Sequence, residues 1–410
     1  MFTQVSTHWR QFQISKKNVA RRWLKVSLLL ILFTISISSL SAATEVYFAQ
    51  ALRGSAARGT SCILIWNPTD TAVSVTIRFT NQAGTVQETQ VFSVAAQATE
   101  KRTLGGTGVA LTVGSVKVTS AADGILATLL FSITSLPEVG VLSVQGNDWW
   151  SGVGQVDDQV NTGLAVRATG GPAVCTLTTY RANGSLTGSA PVNLGADDQT
   201  AMFLDEMIDN LPTPYRGCFS LHCEGSVVAV ALRQRRSDGF FTTIAMGNSE
   251  GENEAVYAQA VRGSAASGTS RILVWNPGGS PASVTVRFRN QAGTSLESQT
   301  TSVPSKAIEE IVLEGPGVPL TVGSISVSSA AGILSTLLFN LSGLPTVGVL
   351  PNTGDRWWSG VGQGARSLPG AGVRHRKKEP HPQFRGSRGG RKLLPGTGAV
   401  AAHRHSNALS

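Results

Sequence analysis

Histidine is scarce where a catalytic or metal site would need it. Five of the six histidines lie outside residues 44–363, and His222 is the only one inside that range. One histidine offers little material for histidine-based catalysis or for a histidine-ligated metal. Motifs for a catalytic nucleophile, a phosphate-binding loop or a zinc protease are also missing. We therefore expect no enzyme activity, no catalytic residue, no cofactor and no metal site.

Basic charge is depleted from the middle of the chain, although the formal net charge is +9. Of 34 Lys/Arg residues, six lie in residues 1–43 and ten in residues 364–410, which leaves 18 against 24 acidic residues between them. The basic character therefore belongs to the two ends. A mildly acidic middle argues against a nucleic-acid partner.

No apolar run is as long as the roughly 20 residues that a membrane span needs. The longest, Val26–Leu40, has 15 residues, follows a basic segment that contains no acid, and precedes Ser41-Ala42-Ala43. This order is typical of a signal peptide with small residues at its cleavage site. It predicts a signal peptide at 1–43, secretion, and no membrane contact after cleavage. The alternative is an uncleaved N-terminal anchor, which the long basic segment favours.

The middle of the chain contains a repeat. Ala49–Pro68, AQALRGSAARGTSCILIWNP, returns at Ala258–Pro277 as AQAVRGSAASGTSRILVWNP. The offset is 209 residues at Trp66 and Trp275, and 208 at Trp149 and Trp357. Two copies of one domain therefore differ by a single residue in length.

Alternating residues predict β-strands throughout the repeat. Val73, Val75, Ile77 and Phe79 alternate with polar residues, and the turn Asn-Gln-Ala-Gly follows. Amphipathic helical windows are lacking, apart from a helical turn that is plausible within Met202–Leu211. About seven short strands in about 100 residues indicate an immunoglobulin-like β-sandwich.

The pattern divides the chain into an A-B-A array of separate cores. We assign residues 1–43 to the signal peptide, 44–155 to sandwich A1, 156–247 to a different sandwich B, 248–255 to an acidic linker, 256–363 to sandwich A2, and 364–410 to a disordered basic tail.

Several motifs together resemble a known family. They are FAQ, GTSCILIWNP, VTIRFTNQAG and LTVGSVKVTS in A1, followed by VNTGLAV, VCTLTTYRANG, FLDEMIDNLPTPYRGCFSL and VVAVALRQR in B. The chain resembles the tandem immunoglobulin-like repeats of secreted bacterial surface proteins over about residues 46–363. The resemblance implies alternating A-type and B-type sandwiches, and it implies no shared activity.

The tail interrupts this order. A second B unit should follow Gln363, but the sequence becomes rich in Arg, His, Pro and Gly, without an alternating run. We interpret the change as a loss of reading frame near Gly364–Arg374. The alternative is a genuine basic, disordered tail that binds an acidic surface. Translating the other two frames separates the two, because a B-like continuation should appear only after a frameshift.

Four cysteines occupy a chain that we expect to be exported, where disulfides persist. Cys62 has Arg271 as its counterpart, so the repeat does not need it. In B, Cys175 and Cys223 fall on the core-facing side of their predicted strands, whereas Cys218 falls on the other side. The sequence therefore favours Cys175–Cys223 among the possible disulfides. The alternative is three free thiols, two of them acting as small core residues.

Two Trp pairs, Trp149-Trp150 and Trp357-Trp358, lie in the repeated segment W-W-S-G-V-G-Q. Adjacent residues of a strand point opposite ways, so one indole of each pair could be exposed and stack on a sugar ring. The alternative, which we favour, is that each pair closes the end of its sandwich or the joint to the next domain.

These observations predict a non-enzymatic surface or extracellular protein with a structural or adhesive role. The alternative is a carbohydrate-binding protein that uses Trp149, Trp150, Trp357 and Trp358. Glycans or other surface proteins are the expected partners.

Overall fold

The computed structural model describes residues 44–134, 136–247, 251–315, 317–342, 346–349 and 351. Within them, antiparallel strands make up almost all of the regular structure, and the predicted all-β class is confirmed. The predicted signal peptide and basic tail lie outside the described residues.

A1 is a sandwich of two four-stranded sheets. One has the strand order β1-β6-β3-β4, and the other has the order β5-β2-β7-β8. The strands are β1 (Thr44–Arg53), β2 (Gly59–Trp66), β3 (Val73–Asn81), β4 (Val86–Val94), β5 (Thr99–Thr103), β6 (Thr112–Ser120), β7 (Leu126–Ile133) and β8 (Val139–Leu142).

B contains eight strands and one short helix. They are β9 (Asn147–Val156), β10 (Val160–Ala168), β11 (Ala173–Arg181), β12 (Leu186–Leu194), β13 (Gln199–Phe203), α1 (Leu204–Met207), β14 (Tyr215–Arg235), β15 (Phe241–Ile244) and β16 (Met246–Gly247). The long strand β14 belongs to both layers. Its first half pairs with β9 and β11, and its second half pairs with β10 and β15.

A2 repeats the arrangement of A1. Its strands are β17 (Glu252–Arg262), β18 (Gly268–Trp275), β19 (Ala282–Asn290), β20 (Ser295–Val303), β21 (Ile308–Leu313), β22 (Thr321–Leu341) and β23 (Val347–Val349). The long strand β22 corresponds to both β6 and β7 of A1. Its first half pairs with β17 and β19, and its second half pairs with β18 and β23.

The three units share one topology. β9 takes the place of β1, and the two halves of β14 take the places of β6 and β7. The one-residue difference between A1 and A2 falls at this corner. A1 has Ala121-Ala122-Asp123-Gly124 between β6 and β7, whereas A2 has only Ala330-Ala331-Gly332 within the continuous β22.

Each sandwich has its own apolar core, built by the inward residues of alternating strands. In A1, Ile77 and Phe79 of one sheet face Ile63 and Leu129 of the other, and all are 0–1% exposed. The cores are not fully separate, because Leu232 of B joins the A1 cluster and Trp275 of A2 joins the B cluster.

Two segments belong to different elements from those the repeat indicates. Residues 147–155, assigned to the end of A1, form β9 and pair with β14 of B. Residues 252–255, assigned to the linker, form the start of the edge strand β17. A sequence repeat shows that the segment following A1 recurs, but it does not show which sheet that segment joins.

The repeated Trp-Asn-Pro motif fixes a crossing between the two layers. Asn67 is fully buried, and its Nδ2 donates to the carbonyl oxygens of Thr71, Val94 and Ala95 at 2.7, 3.1 and 3.0 Å. Asn276 makes the same three bonds in A2, to Ser280, Val303 and Pro304. One buried amide thus ties the loop after β2 to the end of β4, and its counterpart in A2 ties the loop after β18 to the end of β20.

We expect Asn67→Ala to lower the free energy of unfolding by about 2–3 kcal/mol, since it removes three hydrogen bonds that a fully buried amide donates. Chemical denaturation measures the change. The control is Asn81→Ala, whose side chain only accepts a bond from the exposed Thr85 N–H, and it should cost less than about 1 kcal/mol. Equal losses at both positions would contradict this role of Asn67.

Candidate functional site

The joints between units are the candidate functional feature of the fold. At the A1–B joint, the turn after β3 docks on the first residue of β13. The Gln199 N–H donates to Gln82 O at 2.9 Å, and Gln199 Nε2 donates to Ala49 O and Gln50 Oε1. A backbone bond and a side-chain amide therefore hold A1 against B.

The B–A2 joint repeats this geometry one unit further along. The turn after β11 docks on the first residue of β21, and the Ile308 N–H donates to Ala182 O at 2.9 Å. Ala182 has the same place in its turn as Gln82, and Ile308 the same place in its strand as Gln199. The backbone contact is therefore common to both joints.

Glycine is required in both docking turns because the next unit comes so close. A Cβ on Gly84 would lie 2.8 Å from Ala196 O, and one on Gly184 would lie 2.5 Å from Ser305 O. Both residues also have positive φ, at 68° and 85°. Gly293 is the counterpart in A2. It has φ 81°, and nothing lies within 4 Å of a Cβ there.

Side chains at the A1–B joint bury a cation. Arg167 is 1% exposed, and its guanidinium lies 5.0 Å from the centre of the Tyr47 ring. Its Nη2 donates to Asp197 Oδ1 at 3.0 Å. Burial lowers the pKa of Arg167, and Asp197 opposes that shift. Sequence reasoning missed Arg167, although a single Arg in the apolar strand VNTGLAVRA is a signal of a paired, buried charge.

At the B–A2 joint, apolar side chains replace the cation. Trp275 has the register position of Arg167, is 1% exposed, and belongs with Ile308 to the B core cluster. Cys218 contributes from B, with Sγ 3.4 Å from Lys306 O. A2 covers the outer face on which Cys218 lies, and burial raises the pKa of its thiol.

A2 presents the same docking face without a unit against it among the described residues. Ala49 of A1 is 1% exposed because B covers it, whereas its counterpart Ala258 is exposed. Gln259 is likewise exposed. A1 holds B with the Ala-Gln dipeptide of β1 and with the Asn-Gln-Ala-Gly turn after β3. A2 has a counterpart of each, and both counterparts are uncovered among the described residues.

The first Trp pair lies on β9, in the layer that meets A2. Trp150 is 8% exposed in the B core, and its Nε1 donates to Val227 O at 2.9 Å. Trp149 is on the opposite face and half-buried, with its ring edge-on to His222 at 5.3 Å between centres. The two indoles do not form one platform. Trp357 and Trp358 lie outside the described residues.

Cys175 and Cys223 are joined by a disulfide. They are directly opposite each other on β11 and the first half of β14, and both side chains face the B core. Cys62 is a buried free cysteine, and burial raises the pKa of its thiol. The disulfide therefore ties together two central strands of the layer that faces A2.

The described residues show neither a metal-binding cluster nor a membrane-spanning helix. They contain no group of three or more His, Cys, Asp or Glu side chains arranged to hold a metal ion. No helix in the same residues is long and apolar enough to cross a membrane. Comparison with known proteins finds no matching family model, no matching curated protein and no matching solved structure.

We expect Gly184→Ala to weaken the B–A2 joint, because the added methyl group meets Ser305 O. Hydrogen exchange at the Ile308 amide should become faster. Gly293→Ala is the matched control, since it carries the same strain of about 1 kcal/mol at positive φ but has free space around it. Equal protection of Ile308 in both variants would show that the turn does not hold the joint.

Proposed function

We propose that the chain is an exported, non-enzymatic surface or extracellular protein with a structural or adhesive role. Its tandem sandwiches act as rigid spacers, in the manner of the immunoglobulin-like repeats that the sequence resembles. The observation that carries this proposal is the repeated joint, in which the same turn docks on the same strand end twice in succession.

A repeated joint favours a spacer because it removes freedom between the units. Domains that are linked only by flexible segments move independently. In this chain, a buried Arg, a buried Trp and a backbone hydrogen bond cross the joints. Each of these contacts is lost if a unit rotates, so the units hold a defined spacing and present their outer surfaces in a fixed order.

Export supports the same role. The sequence features of residues 1–43 are those of a signal peptide. The Cys175–Cys223 disulfide suits an oxidising compartment.

Glycan binding through the Trp segment is the second candidate. Trp150 is committed to the core, so in β9 the candidate reduces to Trp149, whose Nε1 is buried without a hydrogen-bond partner among the described residues. A glycan array on the full chain, with Trp149→Ala beside it, tests this candidate. Specific binding that the variant loses would establish it, and a folded wild-type protein that binds no glycan would remove it.

We expect the full chain to be found outside the cell when it is expressed in a bacterial host. Deletion of Val26–Leu40 should retain it in the cytoplasm, because the apolar segment is what the export machinery binds. Cell fractionation and mass spectrometry of the mature N-terminus measure the outcome. Cytoplasmic retention of the undeleted chain would contradict the exported role.

A further inference from the structure

A polar cleft lies between B and A2, beside the joint already described. It encloses about 280 Å³. Its lining is rich in amide and guanidinium groups, with few apolar side chains. The amide and guanidinium side chains of the lining are those of Gln155, Gln159, Arg216, Arg233, Arg271 and Asn340.

Positive charge in this cleft exceeds the negative charge that is available to neutralise it. Glu310 is shared by two arginines, since it pairs with Arg216 and lies 3.6 Å from Arg271 Nη1. Arg233 belongs to neither pair. Within the described residues, its Nε is buried and has no hydrogen-bond partner.

Asp157, the acid that attracts Arg233, does not supply the missing hydrogen bond. Its oxygens accept from other groups. Oδ1 accepts from the Gln159 and Val160 N–H groups at 2.9 and 2.7 Å, and Oδ2 accepts from Gln155 Nε2 at 2.6 Å. A buried N–H donor without a partner is costly, and an anion in the cleft beside this partly buried guanidinium would offset that cost.

Repulsion between arginines also favours an anion in the cleft. Burial lowers the pKa of Arg233, and repulsion from Arg271 and Arg235 adds to the effect. Burial also lowers the pKa of Arg216, repulsion from Arg271 adds to that shift, and Glu309 opposes it. Arg271 is therefore close enough to repel both Arg216 and Arg233, and a further negative charge in the cleft would offset that repulsion.

We propose that this cleft binds the carboxylate of an acidic sugar, as found in a uronic-acid-containing polysaccharide. The flat fork of a guanidinium matches a carboxylate with two parallel hydrogen bonds. The side-chain amides of Gln159 and Asn340 can bond to sugar hydroxyl groups. The few apolar residues in the lining disfavour a fatty or aromatic ligand.

This site does not include Trp149 or Trp150 and does not depend on the spacer role. It would give the outer surface of the array a chemical target, namely an acidic polysaccharide. Its arginines come from both units, with Arg216 and Arg233 in B and Arg271 in A2.

Calorimetric titration of the full chain with digalacturonate at low salt tests the proposal. We expect saturable binding that weakens as the salt concentration rises. A neutral galactose disaccharide should not bind, and acetate should bind much more weakly than digalacturonate. Absence of saturable digalacturonate binding would overturn the site, and equal binding of acetate would overturn its assignment to a sugar.

Three variants locate the binding. Arg233→Gln should weaken it at least about tenfold, since it removes charge-assisted hydrogen bonds. Gln159→Ala changes an exposed side chain and should weaken it about two- to fivefold without a folding defect. Arg287→Gln makes the same charge change at an exposed position of β19 and should leave binding unchanged. Equal weakening by Arg233→Gln and Arg287→Gln would show nonspecific charge attraction and overturn the site.

Discussion

The contact on which the rest depends is a hairpin turn of one unit against a strand end of the next. The first N–H of β13 and that of β21 each donate to a turn carbonyl of the preceding unit. A buried N–H needs a partner, so the turn has to lie at hydrogen-bond distance. Such an approach leaves no room for a side chain, which explains the glycine in each turn. The backbone therefore fixes how one sandwich follows another.

Since the backbone sets the joint, the side chains around it are free to differ. Arg167 stacked on Tyr47 fills the first joint, and Trp275 fills the same position in the second. The same backbone contact therefore accommodates a buried cation in one joint and a buried indole in the other. The cleft that contains Arg233 forms beside the second joint, where B and A2 meet. Spacing and recognition would then share one structural element.

Much of this architecture is predictable from the sequence. The rest is not, for physical reasons. Period-two alternation in Val73–Phe79 shows a half-buried strand, and the same parity argument brings Cys175 and Cys223 to one face. Parity does not reveal which sheet a strand joins, so the sequence does not show that residues 147–155 pair with β14. The role of Arg233 is also not predictable from the sequence pattern. Its Nε lacks a hydrogen-bond partner among the described residues because of how Asp157 is bonded and where A2 lies, and neither is visible in the sequence.

The most direct test of the account is the distance between equivalent sites on A1 and A2 in the full chain. Ser74→Cys and Ser283→Cys place spin labels at matching exposed positions, while Cys62 and Cys218 are buried. Pulsed electron paramagnetic resonance then gives the distribution of distances. The account predicts one narrow distribution, set by two successive joints. A broad distribution would contradict it, because the units would then move independently in spite of their docked turns.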